Sequence, residues 1–463
     1  MMGLKALEAR LAQDLSFLEL PAKSWVPPRN GVADVAVIGA GMCGLSAAAA
    51  LRLLGVDNVR VLDRAPAGQE GPWVTFARME TLRSPKGLAG PALGLPALTC
   101  RAWFEAQWGA GAWAALDKIP RTMWMDYLGW YRQVMGIVVE NDTDVTLIRL
   151  RPDGLFDLEG AGITARRVVL ASGRDGLGGP FVPEMAEGVS RHLWAHSRDV
   201  IDFDALRGKR IGVVGAGASA MDNAATALEA GAGSLDLFVR RPALPRVNKF
   251  TGIGSPGVVH GFAGLSDAWK WRFLQVVLSE QTPPPRDSTL RVARHDNARL
   301  HLSSPILSLT ESDGALRVET PGGVHRLDFM IFATGFRVDL ARRPELALLA
   351  PHIRFWGNRF APPHEELATS PDLAPDFAFQ EIIPGACPAL ANVYCFNHPA
   401  TLSHGKLAGD IPAVSQGAQR LAQGIARSLF VEDRAIHFDA LCAYETPELL
   451  GDEWPATTPG VPA

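Results

Sequence analysis

The chain has 463 residues, of which 47% are hydrophobic and 20% charged, a composition typical of a globular protein with a large core. The net charge of −4, without a basic stripe or a block of like charges, argues against nucleic acid as a partner. No window holds eighteen uncharged apolar residues, so the sequence predicts no membrane span.

The first thirty residues are predicted to form an amphipathic helix and a linker. Leucines recur there at spacings of three and four, which is the periodicity of one helix face. We expect the helix to pack on the domain surface, with a dimer or membrane contact as the alternatives. The segment has no apolar core of the kind that a secretory signal requires, so we expect a cytoplasmic protein.

The five cysteines support the same location. None belongs to a CxxC pair, and their odd number and wide spacing are typical of reduced thiols. This pattern also argues against a redox-active disulfide.

A first dinucleotide-binding fingerprint begins at Gly39. A short apolar strand runs into GAGMCG at 39–44, and an alanine-rich helix and a second strand ending at Asp63 follow. Gly39 allows the tight turn, Gly41 allows the backbone to approach a pyrophosphate, and Gly44 allows close packing of helix and strand. Asp63 is placed to accept hydrogen bonds from ribose hydroxyls. This order of elements predicts the FAD site.

A second fingerprint, GAGASA at 215–220, has alanine in place of the third glycine. The strand that follows its helix ends at Arg240 and Arg241, where an NAD-binding site carries an acid. Because a basic pair at this position suits a 2′-phosphate, we predict NADPH as the second nucleotide. The alternative is that both arginines form only surface ion pairs.

Two further strands with small-residue turns, 168–173 and 328–336, bracket the second fingerprint. They indicate an FAD domain that an inserted NADPH domain interrupts. The predicted organisation is an N-terminal segment 1–30, an FAD domain 31–183, an NADPH domain 184–327 with a helical excursion 242–299, a second FAD part 328–430 and a tail 431–463. The excursion is expected to line the substrate mouth or to form a contact in a homodimer or homotetramer.

Over residues 31 to 430 the chain resembles the class B flavoprotein monooxygenases. These comprise flavin-containing monooxygenases, Baeyer–Villiger monooxygenases and the N-hydroxylating enzymes of ornithine and lysine. The resemblance rests on the two fingerprints, on ASG at 171, on FATGF at 332 and on His196, which matches a linker histidine of the family. Ser190 and His192 stand where the Baeyer–Villiger fingerprint has Phe and Gly, which favours oxygenation of a heteroatom.

The resemblance implies an α/β fold with two Rossmann-like three-layer domains, and it implies a reaction cycle. NADPH reduces FAD, the reduced flavin and dioxygen form a flavin hydroperoxide, and this species oxygenates a small substrate, most readily at nitrogen or another heteroatom. S-oxidation and Baeyer–Villiger insertion stay open. The alternatives are a dehydrogenase, reductase or oxidase without oxygen insertion, and a flavoprotein without turnover. The sequence contains no metal-binding motif, and we predict no metal.

Three residues are candidates for catalysis. Trp73, in a segment that looks like the family's GGxW, would cover the flavin or pack in the core. His196 would orient NADP, and Asn248 would hydrogen-bond the substrate or the nicotinamide. Arg83 and Lys86 would hold a carboxylate substrate or cofactor phosphates, unless they belong to a solvated loop.

The residues predicted to bind the cofactors include both fingerprints and the segments near them. Asp410, at the start of a helix predicted from Ala413 to Ser428, would meet the flavin or cap that helix. The full predicted set is Gly39, Gly41, Gly44, Asp63, Arg64, Trp73, Gly215, Gly217, Ser219, Ala220, Arg240, Arg241, Thr334, Gly335 and Asp410.

Overall fold

The computed structural model describes residues 3–360 and 364–454, so the last nine residues of the predicted tail lie outside the described part. Its α-helices are α1 Leu4–Phe17, α2 Met42–Leu53, α3 Cys100–Ala115, α4 Arg121–Val134, α5 Ala218–Glu229, α6 Pro256–Gly261, α7 Asp267–Glu280, α8 Arg286–Ala293, α9 Glu365–Ala368, α10 Thr401–His404, α11 Val414–Glu432 and α12 Arg434–Cys442.

The strands alternate with these helices along most of the chain. They are β1 Val32–Ile38, β2 Val59–Leu62, β3 Val139–Glu140, β4 Leu147–Leu150, β5 Phe156–Glu159, β6 Ile163–Leu170, β7 Gly178–Pro180, β8 Trp194–His196, β9 Arg210–Val214, β10 Ser234–Phe238, β11 Ala298–His301, β12 Ser308–Ser312, β13 Ala315–Thr320, β14 Gly323–Leu327, β15 Phe329–Phe332, β16 Phe336–Val338 and β17 Val393–Cys395.

The first sheet carries the first fingerprint. Its order is β3-β2-β1-β6-β5-β4, and β17 joins it beside β6. Strand β1 lies between β2 and β6 and runs parallel to both. Both β1 and β6 are buried along most of their length, as expected of parallel strands covered on two faces. Helix α2 leaves the carboxyl end of β1, and α11 packs against α2. This arrangement confirms the predicted α/β fold class.

The second sheet carries the second fingerprint. Its five strands are parallel in the order β11-β10-β9-β15-β8. A three-stranded antiparallel sheet, β12 to β14, packs against it through a shared apolar cluster.

The domain boundary predicted at residue 328 is wrong by one strand. Strand β15 pairs with β9 and β8, so it completes the second sheet and the chain leaves this domain only after Ala333. A short apolar strand has the same sequence pattern in the core of either sheet. Its periodicity therefore does not show which sheet it joins.

The two crossings between the domains contact each other. Strands β7 and β16 pair antiparallel, and the Phe181 N–H donates to the Gly335 carbonyl at 2.9 Å. The Thr334 hydroxyl donates to the Phe181 carbonyl. Thr334 and Gly335, predicted to bind cofactor, are thus placed where both linkers are held together.

The inserted helices also contact the returning part of the chain. Trp271 and Leu274 of α7 are buried together with Trp356, Leu367 and Leu402. This cluster positions the excursion over the segment that leads to α10 and α11.

At the N-terminus, Leu7 and Leu11 of α1 are buried against α3 and the turn before it. Helix α11 extends to Glu432, four residues beyond its predicted end, and α12 follows directly. Within the described ranges no helix is both long enough and apolar enough to cross a membrane.

Candidate nucleotide-binding and active site

The first fingerprint forms a tight turn between β1 and α2. Gly39 has φ of +104°, and a Cβ on Gly44 would lie 1.8 Å from the Gly39 carbonyl oxygen. Gly41 has more room than Gly44. The atom nearest to a Cβ on Gly41 would be the Cα of Gly71, at 3.7 Å. The N-terminus of α2 has no side-chain cap, so its N–H groups are available to a pyrophosphate.

Asp63 holds this turn from the end of β2. Its two carboxylate oxygens accept from the Ala40 N–H at 2.7 Å and the Ala65 N–H at 2.8 Å. A carboxylate has about four lone-pair positions, so Asp63 can still accept from a ribose. Arg64 is exposed beside it.

A buried carboxylate that the sequence analysis missed supports the next loop. Glu70 accepts from Arg132 at 2.9 Å, from Asn141 at 2.7 Å and from the Gly68 N–H at 2.8 Å. The network fixes the loop that places Gly71 opposite Gly41. Nothing local in the sequence distinguishes Glu70 from a surface glutamate.

Trp73 lies beside the same turn, next to Gly71. Its ring meets Trp124 edge to face at 6.2 Å, and Arg121 donates to its carbonyl oxygen. The indole Nε1 is buried and has no hydrogen-bond partner in the described part of the chain. An unsatisfied buried donor is unfavourable, so this atom fits an acceptor on a bound group.

The start of the last long helix meets the first fingerprint. The Gly409 N–H donates to Cys43 Sγ at 3.2 Å, and burial raises the pKa of Cys43 to about 11. Asp410 does not cap the helix with its side chain and forms an ion pair with Lys406 at 3.2 Å instead. The segment 409–411 is thereby fixed beside the nucleotide loop.

Three cations lie within electrostatic range of Asp410 or His398 at this helix start, and we call Arg83, Arg174 and Lys406 the basic cluster. Burial lowers the pKa of Arg83. The negative charge of Asp410 raises this pKa, and the positive charge of Arg174 lowers it further. His398 lies among the same groups. Burial lowers its pKa to about 3, reinforced by Arg174 and Lys406 and opposed by Asp410. His398 is therefore neutral at pH 7 within a positively charged surrounding.

Arg83 and Lys86, predicted together, lie in different surroundings. Arg83 joins the basic cluster and donates to the Pro283 carbonyl at 2.8 Å. Lys86 donates to the carbonyls of Trp113, Ala114 and Leu116 at the end of α3. An ammonium group has three protons, so Lys86 has none left for a substrate. We therefore leave Lys86 out of the site.

Backbone groups engage both ring nitrogens of His196. Its Nδ1 accepts from the Arg198 N–H at 3.1 Å, so its Nε2 carries the proton and donates to the Gly335 carbonyl at 3.0 Å. Burial lowers its pKa, which agrees with a neutral ring. Both nitrogens are occupied by backbone groups, and the residue links β8 to the second crossing.

Asn248 lies at the start of a helical turn in the NADPH domain, two residues before buried Phe250. Its Oδ1 is buried and has no partner among the described residues. Lys406 lies 5.0 Å from the Phe250 ring. The Asn248 segment thus faces the basic cluster across the two domains.

The second fingerprint repeats the geometry of the first. Gly217 precedes α5, and a Cβ there would have no atom within 4 Å. Ser219 and Ala220 belong to α5, and Ala220 is packed where a Cβ on Gly215 would approach it to 3.3 Å. The third position of this loop thus holds a methyl group, whereas a Cβ on Gly44 of the first loop would lie 1.8 Å from a carbonyl oxygen.

Beyond β10, a cavity of about 380 Å³ is lined by Arg241, Arg246 and Lys249. Arg241 donates to the Ser279 carbonyl at 2.8 Å, and Arg240 is exposed. Of the predicted pair, Arg241 lines this cavity, whereas Arg246 and Lys249, which follow a proline-rich turn, are not in the predicted set.

A buried histidine near the site predicts a loss of stability in acid. His404 stacks on Phe377 at 3.9 Å and donates to the Ala374 carbonyl, and burial lowers its pKa to about 3. Below the ordinary value of 6.5 the unfolded chain gains a proton that the folded chain does not. Stability therefore falls as the pH drops from about 6.5 towards 3, by about 2 kcal/mol between pH 7 and pH 5 for this residue.

We expect His404→Gln to flatten this dependence, because Gln can keep the bond to Ala374 and does not titrate. The measurement is the thermal unfolding midpoint at pH 7 and pH 5. Exposed His192→Gln serves as the control and should behave as wild type. An unchanged pH dependence in His404→Gln would contradict the prediction.

Comparison with known proteins places this geometry in a family. Residues 36–248 match the model of the pyridine nucleotide-disulphide oxidoreductase family. The FAD-dependent urate hydroxylase of Xanthomonas campestris pv. campestris is 42% identical over 475 residues, which cover 99% of this chain and 100% of that enzyme.

Solved structures share the fold. L-lysine 6-monooxygenase from Pseudomonas syringae superimposes with a TM-score of 0.66 at 19% identity, over 86% of this chain and 99% of that one. Ornithine hydroxylase from Pseudomonas aeruginosa gives a TM-score of 0.66 at 17% identity, over 86% and 100%.

The whole-length match is decisive, because 42% identity extends across both fingerprints and the returning segment. The chain therefore belongs to the family of the FAD-dependent urate hydroxylase, which confirms the predicted resemblance to flavoprotein monooxygenases and the predicted enzyme class, a flavin-dependent oxidoreductase.

Proposed function

We propose that the protein is an FAD-dependent, NADPH-consuming monooxygenase whose substrate is urate. The observation that carries the proposal is the identity of 42% to an enzyme named for this activity, over practically the whole of both chains. The fold neighbours named for lysine and ornithine share less than a fifth of their residues with this chain, and they support the fold alone.

The residues around the first fingerprint fit FAD. The uncapped N-terminus of α2 would hold the pyrophosphate, Asp63 the ribose, and the unpartnered Trp73 Nε1 an acceptor of the ring system. When bound and reduced, FAD supplies the activation of dioxygen. The chain's part is to hold the substrate, to exclude water and to fix the relative positions of the two nucleotides.

The residues around the second fingerprint fit NADPH. Arg241, Arg246 and Lys249 line one cavity beyond β10, and together they offer three positive charges to a 2′-phosphate. Arg240 is exposed next to Arg241, and its binding of the 2′-phosphate stays a prediction.

Replacing Arg246 by serine tests this assignment. We expect the KM for NADPH to rise about tenfold to 150-fold, the equivalent of one charge-assisted hydrogen bond, with the KM for NADH nearly unchanged. Steady-state kinetics with both nucleotides measure the effect. Arg149→Gln, on the exposed edge strand β4, is the matched control. Equal changes for both nucleotides would contradict a 2′-phosphate contact.

The basic cluster fits the charge of urate, which is an anion at neutral pH. Arg83, Arg174 and Lys406 offer cationic donors to the oxygens of the purine. The unpartnered Asn248 Oδ1 offers an acceptor to a ring N–H. A planar purine needs both kinds of partner at its edge, whereas an aliphatic amino acid would bring its own ammonium group towards the three cations.

Substrate-stimulated NADPH oxidation tests the substrate class. We expect urate to stimulate the rate strongly and L-lysine and L-ornithine to have no effect. The mass and structure of the product then show whether oxygen enters at a heteroatom, as predicted from the sequence, or at a ring carbon. If all consumed dioxygen appears as hydrogen peroxide, the protein is an NADPH oxidase that does not insert oxygen into a substrate, as in the alternative hypothesis.

The cysteines bear on the predicted location. All five cysteines are free, and four of them are buried, which supports the predicted cytoplasmic location. The predicted homodimer or homotetramer stays a prediction.

A further inference from the structure

Three metal-ligating side chains meet in the NADPH domain, and none of them belongs to either fingerprint. Asp236 lies on β10, His301 ends the neighbouring β11, and His325 lies on β14 of the three-stranded sheet. One ligand atom from each lies within 4.8 Å of the ligand atoms of the other two. The cluster therefore joins two different sheets.

The three side chains are close enough together for small movements to bring them onto one ion. His301 Nε2 lies 2.6 Å from Asp236 Oδ1, and the two imidazole rings are 4.8 Å apart at 73°. Tetrahedral Zn²⁺ with bonds of about 2.0–2.1 Å separates its ligand atoms by about 3.3 Å. An ion would replace the hydrogen bond between His301 and Asp236, and movements of up to about 1.5 Å would bring the three atoms to that spacing.

The surroundings hold the ligands in place. Phe238 stacks on His301 at 5.2 Å and meets His325 edge to face at 4.9 Å. Asp236 is buried, and the histidines are half-buried, so an ion can reach the cluster from solvent.

We propose that Asp236, His301 and His325 form a site for one divalent transition-metal ion, with Zn²⁺ as the best match, that links the three-stranded sheet to the nucleotide-binding sheet. Two imidazoles and one carboxylate are borderline donors that suit Zn²⁺ and disfavour Mg²⁺, which prefers oxygen. The sequence contains no motif for this site because its ligands lie on three separate strands.

The test uses untagged, flavin-loaded protein from which metals have been removed with a chelator. Isothermal titration with Zn²⁺ should give one ion per chain, and Zn²⁺ but not Mg²⁺ should raise the thermal unfolding midpoint. In Asp236→Asn and His325→Ala the affinity should fall at least about tenfold. Exposed His192→Ala is the matched control and should bind as wild type.

Asp236→Asn keeps the shape of the side chain, so it separates metal binding from folding, and the flavin content of each variant reports on the fold. Absence of Zn²⁺ binding by the wild type would overturn the proposal. Zn²⁺ binding that is equally tight in both cluster variants would place the ion elsewhere and would overturn it too.

Discussion

Gly41→Ala is expected to give a folded protein that has lost its flavin. Gly41 has φ of −66°, which alanine adopts freely, and the added methyl group would meet protein atoms no nearer than 3.7 Å. The methyl group would stand where the backbone must approach a pyrophosphate. We expect at least about a tenfold loss in FAD affinity and a corresponding loss of activity.

Two matched variants separate a loss of FAD binding from a loss of stability and from an effect on NADPH. Gly44→Ala would place a methyl group 1.8 Å from a carbonyl oxygen and should lower stability as well as flavin content. Gly217→Ala makes the same change in the second fingerprint and should keep the flavin while raising the KM for NADPH. Flavin absorbance, thermal unfolding and kinetics distinguish the three. A Gly41→Ala protein with full flavin occupancy would contradict the assignment of the first loop.

Neutralising the basic cluster is expected to weaken substrate binding without removing the cofactor. Lys406→Gln and Arg174→Gln each delete one cation around His398. A hydrogen bond to a charged group contributes about 1.5–3 kcal/mol, so the KM for urate should rise about tenfold to 150-fold in each variant. NADPH oxidation without substrate and flavin content should stay near wild type.

The control for this experiment is Arg149→Gln, which removes a cation from the exposed strand β4. It should leave the KM for urate unchanged. If Lys406→Gln and Arg174→Gln also leave it unchanged, the cluster does not bind the substrate, although the family membership would stand.

Both nucleotide loops could be predicted from the sequence, because turn, helix and strand follow one another within a short stretch. Asp63 and Gly41 lie where the pattern predicts them. The basic cluster could not be predicted, since Arg83, Arg174 and Lys406 come from three distant segments that meet only in the fold. Arg83 and Lys86 are close in the sequence, yet their side chains bind different partners. Sequence proximity therefore does not show that both belong to the site.

Two other differences have equally physical causes. The sequence places strand β15 in the wrong domain because a short, largely buried strand has no periodicity that identifies its sheet. His196 matches a family position in sequence, yet backbone groups occupy both of its nitrogens. The hydrogen-bond partners of a histidine ring depend on contacts in the fold, which a sequence motif does not predict.

The most direct test of the account is the fate of dioxygen when urate is the substrate. With ¹⁸O₂, NADPH and urate, we predict equal consumption of NADPH, dioxygen and urate, and one ¹⁸O atom in the product. Urate that fails to stimulate NADPH oxidation, or ¹⁸O that appears only in hydrogen peroxide, would contradict the proposed urate monooxygenase.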